Sequence, residues 1–405
     1  MSILQASVKE PVCAQRLIGH VIGKGKGPTL VFFAGIHGNE HAGVLALNSV
    51  LKELERDRSL IKGEIYAIAG NLKALAKNVR FQTEDLNRIW IPKRIEEIQS
   101  KNGECGPEEE ELLQLNNLLL NILANGKPPF YFIDLHTTSS DTIPFVVLND
   151  SLLNRKFASN YPLPIILGIE EYLEGALLSY INDMGYVSLG YESGQHDDPK
   201  AVENCKNFIR YTLCLTETVD LKEHQKPVLM NKNYPAYNSL PIFYEIYYQH
   251  LIESKSEFRM LPGFVNFQHI PKGTSIAYYN GTVNETLRKR QIFMPLYQDQ
   301  GSEGFYFIRS IPKVLLWFSK GLRRFKIDHL LVQLPGITWK SKEKGNMMVN
   351  QKIARFMAKS FFHLLGYRAR QYDRRYMVIK SREIVSKRED YAETKWFKNK
   401  KRGPH

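Results

Sequence analysis

A few polar side chains stand where apolar runs stop abruptly. "FFAGIHGNEHAG", residues 32–43, breaks from a buried-looking run into His37-Gly38-Asn39-Glu40; "GEIYAIAGN" ends at Asn71, with Arg80, Asp85, Asn87 and Arg88 following; "PFYFIDLH" ends in Asp134-Leu135-His136. Two imidazoles and a carboxylate from separate strand ends are the ingredients of a catalytic zinc site that keeps its fourth position for water. His37 and Glu40 can share one ion if the loop between them turns tightly, which Gly38 permits, and His136 closes the set from a neighbouring strand. Asp134 is expected to point the other way along its strand, away from that ion. A His-x-x-Glu spacing arises readily by chance in a chain with 11 His. The weight therefore rests on its coincidence with a strand-final Asp-x-His and an arginine-containing loop between them.

These groups need elements that hold them. "TLVFFAGI" (29–36) is a nearly continuous apolar run, as in a strand buried on both faces of a parallel sheet. A helix follows, with Val44, Leu45, Leu47, Val50 and Leu51 at helical spacing. Residues 63–71, 129–136 and 185–194 read as further strands. "GPEEEELLQLNNLLLNILANGK" reads as one helix: Pro107 suits its first position, acids 108–111 suit its positive end, and Gly126 stops it. "AVENCKNFIRYTLCL" is another. Alternation of this kind predicts an α/β fold, a sheet with helices on both faces, whose crevice opens at the carboxyl ends of parallel strands. Gly23-Lys24-Gly25-Lys26 is too short for a phosphate loop and is expected to be a hairpin turn before the first long strand. His41 is expected to face away from an ion held by Glu40, as a supporting or surface residue, and His196 either lines the pocket or is a plain loop residue.

Past residue 220 the segments become short, aromatic and punctuated by Gly and Pro, which predicts a smaller β-rich domain over 221–345. "NQKIARFMAKSFFHLLGYRARQ" has Ile353, Phe356, Met357, Phe361 and Leu364 on one stripe, predicting a basic helical extension over 346–405, with a mobile charged tail from Ser381. The net charge of +13 is uneven: from residue 311 onward there are 24 Lys and Arg against 7 Asp and Glu, while the rest carries 31 against 35. An anionic surface or nucleic acid could meet such a region, but a solvated tail is the simpler expectation, so nucleic acid is not expected as a partner. No apolar run is long enough to span a bilayer, so no membrane partner is expected either. No export signal is visible at the N-terminus, and Cys13, Cys105, Cys205 and Cys214 form no CxxC pair. Reduced thiols in a cytoplasmic protein are the expectation.

"GIHGNEHAG", "NVRFQTEDLNRIW", "FIDLHTTSS" and "YESGQH", in that order, resemble the succinylglutamate desuccinylase/aspartoacylase family, relatives of the zinc carboxypeptidases. The resemblance spans roughly residues 15–220 and continues loosely into "FMPLYQDQGSEGFYF". It implies a zinc-carboxypeptidase-like mixed sheet flanked by helices, with residues 1–220 as the hydrolase domain. By resemblance His37, Glu40 and His136 match the ligands of one zinc per chain, and Glu192 matches the general base. Arg80 matches the arginine that polarises the scissile carbonyl, Asn87 and Arg88 match the pair that grips an α-carboxylate, and Tyr297 matches a substrate-contacting tyrosine. The activity implied is hydrolysis of a small N-acyl amino acid, with a homo-oligomer compatible. One departure stands out: aspartoacylases carry a further arginine about ten residues before the base, and "LLSYINDMGY" has none. The alternatives are a metallocarboxypeptidase acting on peptides or cell-wall fragments, and a nucleic-acid- or partner-binding protein on an inactive hydrolase scaffold.

Overall fold

The computed structural model describes residues 14–56, 58–101, 103–219, 243–253, 257–324, 331–343, 345–350, 352–353, 365–371 and 375–399. The first half runs β1 (Leu17–Ile22), β2 (Gly25–Ala34), α1 (Ala42–Arg56), β3 (Lys62–Ala69), α2 (Leu72–Leu75), α3 (Pro92–Gln99), α4 (Pro107–Asn125), β4 (Phe130–Thr138), β5 (Phe145–Val147), α5 (Leu152–Ala158), β6 (Ile165–Leu167), α6 (Leu177–Asp183), β7 (Val187–Gln195) and α7 (Pro199–Leu215). Next come β8 (Phe243–Leu251), β9 (Phe258–Met260), β10 (His269–Ile270), β11 (Ser275–Tyr279), β12 (Thr282–Glu285), β13 (Arg290–Phe293) and β14 (Glu303–Ser310). Last are α8 (Lys313–Arg324), β15 (Ile337–Ser341), β16 (Asn346–Asn350), β17 (Tyr367–Gln371) and β18 (Tyr376–Ser381).

Alternation along the central strands builds two layers. Leu30, Phe32 and Ala34 of β2 and Tyr131, Ile133 and Leu135 of β4 pack with α1 and α7. Val31, Phe33, Phe130 and Phe132 face the other way, against α3, α4 and α6. Successive side chains leave a strand on opposite faces, so a fully apolar run is what a strand covered on both sides requires.

The main sheet has the order β1-β3-β2-β4-β7-β5-β6-β8-β14-β13-β10 among the described residues. Its core β3-β2-β4-β7 is parallel, which brings the carboxyl ends of these strands to one edge. Beyond β7 the sheet is mixed: β5 pairs antiparallel to β7, and β8 pairs parallel to β6. Four strands of the later, β-rich part thus extend the same sheet. A smaller three-stranded sheet, β12-β11-β9, and a four-stranded one, β15-β16-β18-β17, stand apart from it. No helix among the described residues is long and apolar enough to cross a membrane.

Three local expectations need correcting. The segment at 23–26 is not a hairpin turn, because β1 and β2 are not neighbours: β3 lies between them, and Gly25 and Lys26 already belong to β2. Gly23 is required for another reason, since a Cβ there would come within 2.1 Å of the Ile61 carbonyl oxygen. The helix expected around 353–364 falls mostly outside the described residues, and the end of that sequence, Tyr367–Gln371, is a strand. Residues 382–399 are not loose. Tyr391 and Trp396 are buried. The Tyr391 hydroxyl donates to the Phe130 carbonyl at 2.5 Å and accepts from Val187 N at 3.0 Å, and Trp396 Nε1 donates to the Tyr131 hydroxyl at 2.8 Å. Charge density suggested solvation, but the interspersed aromatics supply enough apolar surface to dock.

A buried ionic cluster ties the later elements to the first half. Asp150 receives Arg155 at 2.7 Å and Arg323 of α8 at 2.8 Å, and Arg382 reaches it at 3.6 Å. Arg382 also pairs with Glu170 at 3.0 Å, and Glu383 with Arg323 at 3.3 Å. Burial opposes the Asp150 carboxylate, yet Arg155, Arg323 and Arg382 hold its pKa well below the usual range. Removing one partner of such a set strands the others. Asp150→Asn is therefore expected to cost about 3–5 kcal/mol at pH 7, measured by urea unfolding. Because the folded pKa is depressed, the wild-type contribution is complete above the unfolded value of about 3.9. It fades as pH falls through the folded value, so the gap between the two proteins should close only in acid.

Candidate metal centre and active site

The loop after β2 is shaped by close contacts rather than by a free turn. Gly38 lies so near α2 that a Cβ would meet the Ala74 carbonyl carbon at 2.2 Å, and its N donates to the Arg80 carbonyl at 3.1 Å. His41 is fully buried beneath it, and its Nε2 donates to the Gly38 carbonyl at 2.8 Å. It is thus a supporting residue and not a surface one.

This loop delivers His37 and Glu40 to His136. His37 Nδ1 lies 2.7 Å from Glu40 Oε1, and His136 Nδ1 lies 2.9 Å from Glu40 Oε2. Thr137 N donates to that second oxygen at 3.0 Å. One potential ligand atom from each of the three residues falls within 4.8 Å of the others, and all three residues are buried. Each imidazole is backed on its far nitrogen: His37 Nε2 by Asp85 Oδ1 at 3.1 Å, and His136 Nε2 by Asp134 Oδ2 at 2.7 Å. Carboxylates in that position fix ring orientation and raise ligand basicity in metal sites. Asp134 therefore does not point away. Residues two apart on a strand share a face, and it stands directly behind His136.

The electrostatics agree with a cation site. Burial works against the Glu40 carboxylate, but His37 and His136 hold its pKa well below the usual range. Burial likewise disfavours charge on His136, while Asp134 and Glu40 raise its pKa well above the ordinary value. The three residues fit a divalent ion: two nitrogens and a carboxylate converge, and the groups behind them balance added positive charge.

Glu192 lies opposite His136 in the β4–β7 register, near the carboxyl end of β7. It is buried, its Oε2 has no hydrogen-bond partner among the described residues, and burial, with Glu40 and Asp134 adding, pushes its pKa up to about 8. Arg80 Nη2 sits 3.0 Å from Asp85 Oδ2, and Nη1 sits 3.7 Å from Glu40. Asn87 Oδ1 accepts from Leu177 N at 2.9 Å, at the start of α6. Arg88 Nη2 lies 3.1 Å from Glu303 Oε1, and Nη1 donates to the Asn87 carbonyl at 2.9 Å. His37, Glu40, His136, Glu192, Arg80, Asn87 and Arg88 line one cavity of about 140 Å³, together with His196, Gln298, Glu303 and Tyr306.

Tyr297 is not among the lining residues. Its hydroxyl donates to the Leu261 carbonyl at 2.7 Å and accepts from Phe264 N at 3.0 Å, which turns it toward the outer surface. Its neighbours close the cavity instead. Gln298 Oε1 accepts from Asn39 Nδ2 at 2.9 Å and meets His196 Nε2 at 3.1 Å, while Gln300 donates to the Phe81 carbonyl at 2.9 Å. Glu303 and Tyr306 both reach the cavity because the β14–β8 register shifts between Glu303 and Phe305. Such a bulge re-aims side chains. Two other roles escaped sequence reasoning: Asp85 as the joint behind His37 and Arg80, and Glu108. The latter was read as a helix-dipole partner but also accepts from Gln82 N at 2.7 Å and Thr83 Oγ1 at 2.6 Å.

Comparison with known proteins agrees with this geometry. Residues 26–201 match the model of the succinylglutamate desuccinylase/aspartoacylase catalytic domain. Over those residues the chain is similar to that family. A succinylglutamate desuccinylase of Photorhabdus laumondii subsp. laumondii is 32% identical over 113 residues, 27% of this chain and 33% of that relative. The match thus spans about a third of the relative's length. Two solved structures share the fold at 16% identity. One is the succinylglutamate desuccinylase/aspartoacylase of Rhodobacter sphaeroides, with a TM-score of 0.52 over 72% of this chain and 88% of that one. The other is the product-bound ectoine utilization protein EutE (DoeB) of Ruegeria pomeroyi, with a TM-score of 0.53 over 71% and 86%.

The geometry predicts that metal analysis of purified protein finds about one divalent ion per chain, and that His37→Ala loses it. Asp85→Asn should retain the ion but weaken its affinity by about 10–100-fold, measured by competition with a chelator.

Proposed function

We propose that the chain is a zinc-dependent amidohydrolase that removes the acyl group from a small N-acyl amino acid. The observation that carries this is the arrangement around Glu40. Two imidazoles face one carboxylate, each is backed by its own aspartate, and Glu192 stands beside them with an unpartnered oxygen. Two histidines and a glutamate suit zinc, which when bound would polarise the amide carbonyl and make water acidic enough to attack near neutral pH.

The remaining steps belong to the chain. Glu192, whose Oε2 has no hydrogen-bond partner among the described residues, accepts the proton of the attacking water there in its ionised form and delivers it to the departing amine nitrogen. Arg80, held in place by Asp85, faces the negative charge that develops on the carbonyl oxygen. Asn87 and Arg88 orient the amino-acid carboxylate, with Glu303 fixing the plane of the Arg88 fork. Tyr306, rather than Tyr297, is the tyrosine placed to contact substrate. The rest of the wall is largely apolar, from Val147, Leu148, Ile169, Leu173 and Leu178. Residues 177–186 add no arginine to it. An uncharged chain fits this wall better than a second carboxylate, whose burial without a partner is costly.

In this proposal the sheet is of zinc-carboxypeptidase type. Residues 1–220 form the hydrolase, residues 221–345 supply the segment that closes the cavity, and residues 346–405 are an appended extension. Metal-loaded protein assayed against N-acetyl, N-succinyl and N-formyl amino acids, with short peptides alongside, is expected to cleave an N-acyl amino acid in preference to peptides. Preferential peptide cleavage would move the chain to the metallocarboxypeptidase alternative. Glu192→Gln should keep its metal and lose kcat by about 10²–10⁴-fold. Full turnover in that variant would remove Glu192 as the proton carrier.

A further inference from the structure

Away from the cavity, helix α8 presents two faces with different chemistry. Its inner face is fixed: Leu316 joins the main core, Leu322 packs against the core of the four-stranded sheet, and Arg323 reaches Asp150. Its outer face is apolar. Val314 is 74% exposed, Leu315 49%, Trp317 67% and Phe318 48%. Spacings of three and four residues put these side chains next to one another on a helix. Scattered exposed apolar residues need no explanation, but a contiguous patch with two aromatics does.

The patch has a basic border. Lys313, Lys320 and Arg324 lie on α8, which has no acidic residue. Lys156 and Arg388 adjoin them, both over the Phe397 ring at 3.8 and 5.9 Å from its centre. Burial and then the neighbouring charges of Arg388 and Lys320 lower the Lys156 pKa, which places the three cations close together.

We propose that α8 is an interfacial helix that seats this face of the protein on a membrane surface rich in anionic lipid. Val314, Leu315, Trp317 and Phe318 enter the headgroup region, and the surrounding lysines and arginines meet lipid phosphates. Nucleic acid would satisfy the cations but not four large apolar side chains. A second copy of this chain would satisfy the apolar patch but set two basic borders against each other. The sequence expectation of no membrane partner rested on the lack of a spanning run, and a helix lying in the interface needs none.

The test is co-sedimentation of the full, metal-loaded chain with vesicles of phosphatidylcholine alone and with 30% (about one lipid in three) phosphatidylglycerol. Binding is expected only to the second, falling in high salt. The double variant Trp317→Ser/Phe318→Ser should lose at least about tenfold in vesicle affinity, and so should Lys313→Glu/Lys320→Glu. The thermal melting and metal content of both variants should stay at the wild-type level, since none of these side chains supports the core. No binding to anionic vesicles, or binding unchanged in the double variants, overturns the proposal. So does self-association by sedimentation velocity, or binding to duplex DNA, that depends on Trp317 while vesicle binding is absent.

Discussion

The candidate site is organised by the buried carboxylate of Asp85. It meets the far nitrogen of His37, receives the Arg80 guanidinium, and accepts Asn87 N at 2.8 Å to start the turn that carries Arg88. Burial raises the cost of its charge, yet His37, Arg80 and Arg88 hold its pKa well below the usual range. One charge thus sets the direction of the His37 ring, of the Arg80 guanidinium and of the turn that carries Arg88. Apart from the single 3-10 turn at Leu86–Arg88 that Asp85 caps, the loop around it has no regular structure. It takes its shape from Glu108, which accepts Asn71 Nδ2 at 3.1 Å as well as Gln82 N and Thr83 Oγ1. Buried polar groups of this kind stabilise best when their hydrogen bonds are made, and Asp85 and Glu108 each have several donors.

The second organising relation is between early and late sequence. The parallel strands bring His37, His136 and Glu192 to one edge, but that edge is open until residues 294–306 cover it. Gln298, Gln300 and Glu303 each reach a different loop of the first half, at Asn39, Phe81 and Arg88 respectively. Side-chain amides and one ion pair close over this edge without filling the cavity. A site that must strengthen electrostatic interactions and still admit a substrate requires that balance.

Much of this was legible in the sequence, and the limits have physical reasons. Apolar runs that stop at Gly-His and Asp-x-His are visible because a strand buried on both faces admits no polar residue until it ends. Glu192 was visible because its glycine neighbours set it apart. Asp134, expected to point away, shares a face with His136 because strand residues two apart lie on one side. Tyr306 and Glu303 were hidden by a bulge, which breaks the alternation on which strand reading depends. The docked tail was hidden because charge was weighed and Tyr391 and Trp396 were not. Asp85 stood in view, but nothing in linear spacing tells that a loop aspartate will reach a histidine 48 positions away.

The tail has a consequence for how the fold comes into being. Tyr391 spans the amino ends of β4 and β7, the strands whose other ends bear His136 and Glu192. A chain emerging from the ribosome releases those two residues, with His37 and Glu40, long before position 391. Until then Phe130 and Val187 lack the hydroxyl that joins them, and Tyr131 lacks the indole of Trp396. Contacts this distant in sequence form late. The strands that bear His136 and Glu192 are therefore tied together at their opposite ends by side chains from more than two hundred residues further along the sequence, which line no part of the cavity.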